Sequence, residues 1–376
     1  MTIIDLKKHI IQKSKELNID IIGFCDTKPF SCLKEILTKR RQKGYETEFE
    51  EKDIELRINP QKILPNAKSI IAIGMSYNVL ESSVNKNEIT LKGQLSKSSW
   101  GIDYHVVLRE KLQKLAKEIK KVSNFEYKIF VDTGPLLDRE IAKKAGIGWY
   151  GKNNSIINNK FGSFIFIGYM ITDLEINPDS IIKGECGSCE ICIKSCPTKA
   201  ISHGHTIDSR KCISYLTQTK QRIPYDLRDK MGVQIYGCDT CQSCCPRNKN
   251  VLKTENTPFI PHKTGGIIDI NELFHMSNKE FKERHGHIAA SWRGKNILKR
   301  NCIIALGNLK NQNSIGLLTK SINDKSDMIR EYSAWALLKI DRKLGRKIIK
   351  EHIEREKDIK VRKEMERLLK YYRFFS

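Results

Sequence analysis

Four cysteines within eleven residues constrain this chain more strongly than any other feature of its sequence. They follow the spacing C-x2-C-x2-C-x3-C-P and are Cys186, Cys189, Cys192 and Cys196. A second group lies further along the chain, also ends before a proline, and consists of Cys238, Cys241, Cys244 and Cys245. This spacing is that of bacterial ferredoxins with two four-iron clusters, in which the cysteine before proline reaches across to the other cluster. The pattern therefore predicts a ferredoxin-like module with two four-iron-four-sulfur clusters.

A structural zinc site is the alternative for such a concentration of thiols. Zinc takes four ligands, usually from two short cysteine pairs, so one ion would leave several of these thiols unused. Two clusters with four ligands each require eight thiolates. Nine cysteines lie between positions 186 and 245. The count therefore favours iron–sulfur clusters over zinc.

The ninth cysteine, Cys212, leaves two ligand assignments open. In the first, Cys244 is spare. Cluster one then takes Cys186, Cys189, Cys192 and Cys245. Cluster two takes Cys196, Cys212, Cys238 and Cys241. In the second assignment Cys244 is a ligand and Cys212 is spare. The first obeys the rule that the cysteine before proline crosses over, whereas the second gives a more regular spacing. Three cysteines outside the module lie in apolar patterns and are predicted to be core residues, namely Cys25, Cys32 and Cys302.

Basic residues are in large excess, with 67 Lys and Arg against 44 Asp and Glu and a formal charge of +23. This surplus predicts a polyanionic partner, of which nucleic acid is the first candidate, although a compositional bias towards lysine is an alternative. Residues 1–20 are amphipathic and contain acidic residues, unlike a signal peptide. The most apolar stretch, 161–171, is shorter than the ~20 residues that span a bilayer. We therefore expect a cytoplasmic protein without a membrane partner, whose reduced thiols are free to bind metal.

The chain is predicted to be an α+β multidomain protein. Its N-terminal part alternates apolar segments typical of buried strands with helical patterns at 103–122 and 136–147. The predicted strands are 19–25, 69–77, 127–133 and 161–172. We expect an α/β domain over 1–180, the two-cluster module over 181–255, a Pro-, Thr- and Gly-containing connector over 256–285, and a helical domain over 286–376.

The last ninety residues contain an internal repeat. Segment 297–307 matches 328–338 at an offset of 31 residues, which pairs Ala305 with Ala336 and Leu306 with Leu337. A weaker third copy covers 361–369. Paired-helix repeats of the HEAT kind have similar periods, and they stack to present one face to a ligand. The repeat therefore predicts a HEAT-like domain, with a small helical bundle as the alternative.

Six segments together resemble one known family, epoxyqueuosine reductase. Besides the first cysteine group, they are 56–77, 98–112, 130–158, "CISYLT" at 212–217 and "YGCDTCQSCCPRN" at 236–248. The resemblance covers most of the chain, including the helical tail. It implies an oxidoreductase whose N-terminal domain holds cobalamin and whose two clusters reduce the cofactor. The substrate of the family is epoxyqueuosine at the wobble position of the Asp, Asn, His and Tyr tRNAs, which becomes queuosine. The family's cluster ligation also favours Cys212 as a ligand.

Asp132 is the predicted proton donor. Removal of an epoxide oxygen as water needs two electrons and two protons, and a carboxylic acid in a desolvated pocket can supply protons near neutrality. Asp132 follows a predicted strand, and the family's proposed acid matches this position. The alternative role for Asp132 is the N-cap of a helix that begins at Leu136.

Other cobalamin contacts are predicted from the resemblance. His105 does not belong to a cobalt-binding Asp-x-His-x-x-Gly signature, because Leu108 replaces the glycine. It is therefore predicted to be a pocket residue. The full predicted cobalamin set is Arg57, Tyr104, His105, Asp132, Lys152, Asn153, Ser214 and Asp239.

The predicted tRNA surface combines cations with one exposed aromatic ring, since phosphate contacts provide affinity and aromatic rings stack on bases. Its residues are Lys220, Arg222, Trp292, Arg293, Lys295, Lys299 and Arg300. The expected partners are tRNA and an electron donor that the sequence does not identify, and the expected oligomeric state is a monomer. The alternatives are a corrinoid reductive dehalogenase acting on a small molecule, and a non-catalytic iron–sulfur electron carrier or RNA-binding protein.

Overall fold

The computed structural model describes residues 3–79, 91–203, 205–254, 256–262 and 264–374. The described chain forms two compact units. The first unit comprises the described residues of 1–83, 102–212 and 239–260. The second comprises those of 84–101, 213–238 and 261–376. These units do not follow the four predicted segments, because the chain between the two cysteine groups leaves the first unit and returns to it.

The helices of the first unit are α1 (Ile3–Glu16), α2 (Cys32–Gln42), α3 (Ile54–Ile58), α4 (Tyr104–Lys120), α5 (Asp138–Lys144), α6 (Ile191–Ser195) and, later in the chain, α9 (Thr240–Ser243). Its strands are β1 (Ile21–Asp26), β2 (Ser69–Ser76), β4 (Tyr127–Phe130), β5 (Trp149–Tyr150), β6 (Ile156–Ile157), β7 (Ile165–Thr172), β8 (Ile201–Ser202) and β9 (Thr206–Ile207).

The helices of the second unit are α7 (Ile213–Leu216), α8 (Tyr225–Lys230), α10 (Ile270–His275), α11 (Asn278–His285), α12 (Lys295–Leu309), α13 (Ile315–Ser321), α14 (Asp327–Ile340), α15 (Arg342–Ile353) and α16 (Ile359–Phe374). Its strands are β3 (Lys92–Leu95), β10 (Gln234–Tyr236) and β11 (Ile267–Asp269).

A four-stranded sheet in the order β1-β2-β7-β4 forms the core of the first unit. Every pairing in it is antiparallel, and Gly74 of β2 lies opposite Ile21 on one side and Ile167 on the other. All eight residues of β2 are buried, which explains why its sequence is continuously apolar instead of alternating. The four predicted strands are confirmed, and so is the mixed α/β fold.

Helices α4 and α5 cover opposite faces of this sheet. Leu108 and Leu112 of α4 lie close to Gly168 of β7. Ile141 of α5 belongs instead to the cluster of buried side chains that contains Tyr169, the next residue in β7. Successive residues of a strand point to opposite faces, so the two helices sandwich the sheet.

Two of the three cysteines predicted to be core residues are buried. Cys25 lies in β1 and Cys302 in α12. Cys32 is exposed, so its prediction as a core residue was wrong. It is the first residue of α2, a helix with only one buried residue, Leu37.

The predicted repeat copies lie in three helices of the second unit. The copies 297–307, 328–338 and 361–369 fall inside α12, α14 and α16. The paired residues Ala305 and Ala336 are both fully buried. Helix α14 packs against α12, α13, α15 and α16, which makes it the centre of the helical region. Among the described residues, no helix combines the length and apolarity that crossing a bilayer requires.

Candidate functional site

One group of thiols in the first unit gathers around α6 and the chain that follows α9. Burial raises the pKa of the Cys192 thiol, and the neighbouring Cys244, Cys245 and Cys186 raise it further. Burial also raises the pKa of Cys245, with Cys186, Cys244 and Cys189 acting in the same direction. These mutual effects place the five thiols together. Buried thiols of raised pKa hold their protons until a metal displaces them, which is how thiolate ligands bind.

A second group of thiols packs in an apolar environment. Cys196 is buried with Ala200 and Ile201, and Cys212 and Cys241 pack against this cluster. The backbone N–H of Ala200 donates to the Cys196 sulfur at 3.3 Å. Cys238, the fourth predicted ligand of cluster two, belongs to the second unit and lies one residue before its boundary.

The positions of the two groups of thiols help to decide whether Cys212 or Cys244 is a cluster ligand. Cys212 lies with Cys196 and Cys241, whereas Cys244 lies with Cys192 and Cys245. This arrangement favours the assignment in which Cys212 belongs to cluster two. Two thiols, those of Cys244 and Cys245, then compete for one place in cluster one.

Lys152 and Asn153, predicted to contact cobalamin, contact the cysteine loops instead. The backbone N–H of Lys152 donates to the Cys186 sulfur at 3.4 Å. Its ammonium group donates to the carbonyls of Gly187 at 2.7 Å and Cys189 at 3.1 Å. The side-chain amide of Asn153 donates to the Cys241 carbonyl at 3.3 Å. Hydrogen bonds to the sulfurs tune the reduction potential of an iron–sulfur cluster. The hydrogen bonds from 152–153 to the cysteine loops are therefore of the kind that an iron–sulfur site uses.

Asp132 lies in the turn after β4 with its side chain 65% exposed. The Tyr104 hydroxyl donates to its Oδ2 at 2.9 Å, and His105 Nε2 lies 3.6 Å from the same oxygen. On the other side of the imidazole, His105 Nδ1 is 2.7 Å from Oδ1 of Asp103, the N-cap of α4. The start of α4 therefore presents a carboxylate–imidazole–carboxylate series that ends at Asp132.

The backbone of Asp132 is strained. Its φ of +57° is in the left-handed region, which costs a residue other than glycine about 1–3 kcal/mol. The Asp138 carboxylate accepts the backbone N–H of Asp132 at 3.0 Å and holds this turn. Helix α5 starts at Asp138 with Leu137 as its N-cap, so the alternative role of Asp132 as a helix cap was wrong.

The pKa values of Asp132 and His105 are both shifted from their ordinary values. Enclosure by the surrounding chain works to raise the pKa of Asp132, but hydrogen bonds from His105 and Tyr104 outweigh it and lower the pKa. Burial opposes the charged imidazole, yet its hydrogen bonds to Asp103 and Asp132 raise the pKa of His105 to about 9. The pair therefore holds its proton on His105 at neutral pH. The expectation of a desolvated, protonated Asp132 is not met, because its side chain is 65% exposed and its pKa is lowered.

Asp138 has the opposite environment. Burial, together with the charge of Asp132, raises the pKa of Asp138 to about 7. Its Oδ1 is buried without a hydrogen-bond partner among the described residues. The two carboxylates thus lie six residues apart in the chain, and their pKa values are shifted in opposite directions.

Stacked rings connect the Asp132 region to the segment of Cys241. His105 stacks on Tyr104 with centroids 4.1 Å apart, Tyr104 on Phe166 at 4.3 Å, and Phe166 on Tyr77 at 4.1 Å. The Tyr77 hydroxyl is 3.3 Å from Nε2 of Gln242, the residue after Cys241. These contacts hold the carboxylate region and one thiol segment in the same packed structure.

Three further residues were predicted to contact cobalamin. Arg57 is buried and its guanidinium lies 3.1 Å from Glu50 and 3.7 Å from Glu46, so it forms a structural ion pair and is not open to a cofactor. Ser214 is half-buried in α7 of the second unit, where its carbonyl accepts from the Thr217 hydroxyl. Asp239 is the half-buried N-cap of α9 in the first unit.

Two of the predicted tRNA contacts are also internal. Arg300 is completely buried and donates to backbone carbonyls, including that of Leu216 at 2.8 Å. Lys299 is 7% exposed and forms an ion pair with Asp324 at 2.7 Å. Neither side chain can reach a phosphate in this structure, so their prediction as RNA contacts was wrong. Their position in a helix with mostly buried residues, α12, is the physical reason.

The other predicted tRNA residues are closer to the surface of the second unit. Trp292 is 53% exposed, with the Arg293 guanidinium 4.7 Å from its ring centre. Lys220 is exposed, and Arg222 is exposed but pairs with Glu331 and Glu364. Lys295 is half-buried and donates to the Met276 carbonyl at 2.6 Å.

The thiol groups, with backbone N–H donors aimed at their sulfurs, define an iron–sulfur protein of the two-cluster class. A family model described as a 4Fe-4S double cluster binding domain matches residues 185–248. A second, described as "Epoxyqueuosine reductase QueG, DUF1730", matches residues 57–133. The epoxyqueuosine reductase of Bacillus cereus is 44% identical to this chain over 365 residues, which cover 96% of each protein.

Solved structures agree with these matches. A crystal structure of epoxyqueuosine reductase with a tRNA-Tyr epoxyqueuosine-modified stem loop has a TM-score of 0.93 and 37% identity, over 99% of this chain and 100% of that chain. A Bacillus subtilis structure, described with the loop of a catalytic aspartate swung out of the active site, has a TM-score of 0.92 and 37% identity, over 98% and 99%. The chain belongs to the epoxyqueuosine reductase family and is an oxidoreductase.

Proposed function

We propose that the protein reduces epoxyqueuosine to queuosine at the wobble position of the Asp, Asn, His and Tyr tRNAs. The observation that carries the proposal is the presence, in one unit, of thiol groups suited to iron–sulfur clusters and of a hydrogen-bonded carboxylate at Asp132. The first can deliver electrons and the second protons. The relatives described above favour this function over a reductive dehalogenase and over an electron carrier, because each is an epoxyqueuosine reductase.

The reaction removes the epoxide oxygen as water. Two electrons and two protons are consumed, and a carbon–carbon double bond replaces the two carbon–oxygen bonds of the ring. Clusters one and two, with the ligands Cys186, Cys189, Cys192 and Cys245 and the ligands Cys196, Cys212, Cys238 and Cys241, pass electrons singly. Cobalamin, when bound, supplies a strongly reducing cobalt centre for the carbon–oxygen bond.

Residues around Asp132 fit a corrin ring. Ile102, two residues before α4, and Val106, in its first turn, are 45% and 59% exposed, and Tyr104 between them donates to Asp132. An apolar patch next to hydrogen-bonding groups suits a macrocycle with apolar faces and an amide rim. Both nitrogens of His105 face carboxylates, which leaves neither free to bind cobalt.

The chain's contribution to proton transfer is the His105–Asp132 pair. At neutral pH the pair holds one proton, with the imidazole charged and the carboxylate ionised. When cofactor and RNA exclude water from the exposed Asp132, the ionised carboxylate loses solvation and its proton affinity rises. The proton then moves from His105 Nε2 to Asp132 Oδ2, and Asp132 donates it to the departing oxygen. The second proton, which completes the water molecule, comes from solvent. Tyr104 fixes the orientation of the carboxylate.

The RNA-binding surface is proposed on the second unit. Trp292 offers an exposed ring for stacking, and Lys220, Arg222, Arg293 and Lys295 provide positive charge near it in the sequence or the fold. The α12–α16 region is proposed to be a HEAT-like domain with a repeat offset of 31 residues, shorter than the ~40 that is usual for such repeats. We assign cobalamin binding to residues 1–180 and the two clusters to residues 181–255, as the sequence predicts. The proposed protein is a cytoplasmic monomer that receives electrons from a separate donor.

The test is conversion of a defined substrate. The anaerobic protein, loaded with cobalamin and reduced with dithionite, is incubated with an anticodon stem loop that contains epoxyqueuosine. Digestion and mass spectrometry should show a nucleoside lighter by one oxygen atom, and an unmodified stem loop should remain unchanged. No loss of oxygen by a protein that holds both clusters and cobalamin would contradict the proposal.

A further inference from the structure

Two adjacent residues of α12, Arg300 and Asn301, are both fully buried, and their side chains end on backbone carbonyls. The carbonyls belong to two chain segments of the second unit. One is 213–219, which starts directly after Cys212. The other is β10, which ends two residues before Cys238. The proposed cluster-two ligands Cys212 and Cys238 are therefore the chain neighbours of the segments that α12 holds.

Arg300 binds the end of the first segment. Its guanidinium donates to the carbonyl of Leu216 at 2.8 Å and to that of Thr219 at 2.5 Å. Leu216 is the last residue of α7, where carbonyls lack partners within the helix. The side-chain oxygen of Asn301 accepts from the same guanidinium at 2.8 Å and fixes its orientation.

Asn301 joins the two segments. Its amide nitrogen donates to the Thr217 carbonyl at 2.7 Å and to the Ile235 carbonyl at 2.8 Å. Thr217 continues the link, since its hydroxyl accepts the backbone N–H of Gly237 at 2.9 Å. Gly237, which precedes Cys238, has a φ of +69°, and a Cβ there would lie 2.0 Å from the Ser96 hydroxyl. The backbone before Cys238 is thus fixed from several sides.

We propose that Arg300 and Asn301 are positioning residues for the second iron–sulfur cluster, which set the separation of the segments that present Cys212 and Cys238. This inference rests on the ligand assignment in the proposed function. A buried guanidinium normally pairs with a carboxylate, whereas the contacts recorded for Arg300 among the described residues are with backbone carbonyls, Asn301 and the Tyr332 ring. Helix α12 therefore fixes the chain segments of the second unit that adjoin the two proposed ligands.

The test compares two asparagines of the same helix. Asn308 also donates its amide to two carbonyls, those of Arg228 at 2.9 Å and Gly232 at 3.0 Å, but both carbonyls lie outside 213–219 and β10 and at least six positions before Cys238. Asn301→Ala and Asn308→Ala are prepared in the full chain. Iron release to a chelator is followed in the cluster-loaded protein, and amide hydrogen exchange of 213–219 and 234–238 is followed in the metal-free protein.

Asn301→Ala should release about half of its iron at least roughly tenfold faster than the wild type, because the change removes both buried hydrogen bonds from the amide to carbonyls. Exchange in both segments should accelerate by a similar factor. Asn308→Ala should match the wild type in both measurements. If Asn301→Ala does not fold, Arg300→Lys, which keeps the charge but loses the fork of donors, takes its place in the same comparison.

Equal iron release from Asn301→Ala and the wild type would overturn the inference, and so would equally fast release from Asn308→Ala. Faster exchange without faster iron release would also overturn it, because the segments would then move without consequence for the cluster. Failure of the proposed function has a different signature, since a wild-type protein that holds both clusters and cobalamin would then leave the epoxyqueuosine stem loop unchanged.

Discussion

The cysteine module and the Asp132 region differ in what their function depends on. In the module, function depends on which atoms are present, because each cluster needs four sulfur ligands and a serine or alanine cannot replace one fully. Around Asp132, function depends on surroundings, because Asp132 and Asp138 carry the same group with pKa values shifted in opposite directions. Changes in the first region should therefore remove a cofactor, whereas changes in the second should alter proton transfer and leave the clusters in place.

The largest expected effect is the loss of a cluster from Cys212→Ser. Cys212 packs with Cys196 and Cys241, so its replacement should remove cluster two and abolish turnover. Iron analysis should find about four of about eight irons per chain. Cys244→Ser is the matched control, and it should retain both clusters. The reverse result, with iron lost from the Cys244 variant alone, would establish the alternative ligand assignment.

Asp132→Asn should give the next largest effect. The amide keeps the shape of the side chain but cannot donate the proton, so turnover should fall about 10²–10⁴-fold, the usual contribution of general acid catalysis. Iron content and affinity for the stem loop should remain at the wild-type level. Single-turnover assays with pre-reduced protein measure the change, and full activity in this variant would remove Asp132 from the mechanism.

His105→Gln should reduce turnover less, on the order of tenfold, because Asp132 can still collect a proton from water. The pKa of His105 is raised from 6.5 to about 9, so its charge, and the ion-pair stabilisation that it gives, persists below pH 6.5 and is lost as the pH rises through 9. Wild-type activity should therefore decline above pH 9. The variant should lack this decline, and an identical pH profile would exclude His105 as the proton store.

Asp138→Asn should have the smallest effect and should appear in stability. The pKa of Asp138 is raised from 3.8 to about 7, so the folded protein binds this proton more tightly than the unfolded chain, and stability falls as the pH rises between these values. The amide still accepts the Asp132 N–H. The free energy of unfolding of the variant relative to wild type should increase by about 2 kcal/mol between pH 5 and pH 8. A constant difference would show that Asp138 is not protonated in the folded protein.

The same contrast explains what the sequence could predict. The double-cluster domain and the buried strands could be predicted from the sequence, because a cluster fixes the spacing of its ligands and a strand buried on both faces is largely apolar. The burial of Arg300 could not, because its carbonyl partners lie 81 and 84 positions away in the chain. The sequence alone does not distinguish such a buried cation from a surface cation, and Lys299, which pairs with Asp324, was misassigned for the same reason.

The left-handed turn at Asp132 could not be predicted from the sequence either. Its left-handed backbone is common for glycine and only occasional for aspartate, and the Asp138 carboxylate accepts its N–H. A helix cap was the alternative role that local sequence suggested for Asp132. Only the fold shows that Tyr104 and His105, from the start of another helix, supply the hydrogen bonds that define its chemistry.

Iron and acid-labile sulfide analysis of the anaerobically purified protein tests the central claim, that both cysteine groups hold clusters, most directly. Our account predicts about eight irons and about eight sulfides per chain, with the broad visible absorption of four-iron clusters and its bleaching by dithionite. A colourless protein without sulfide, or one that binds zinc in its thiol groups after anaerobic reconstitution with iron and sulfide, would contradict it.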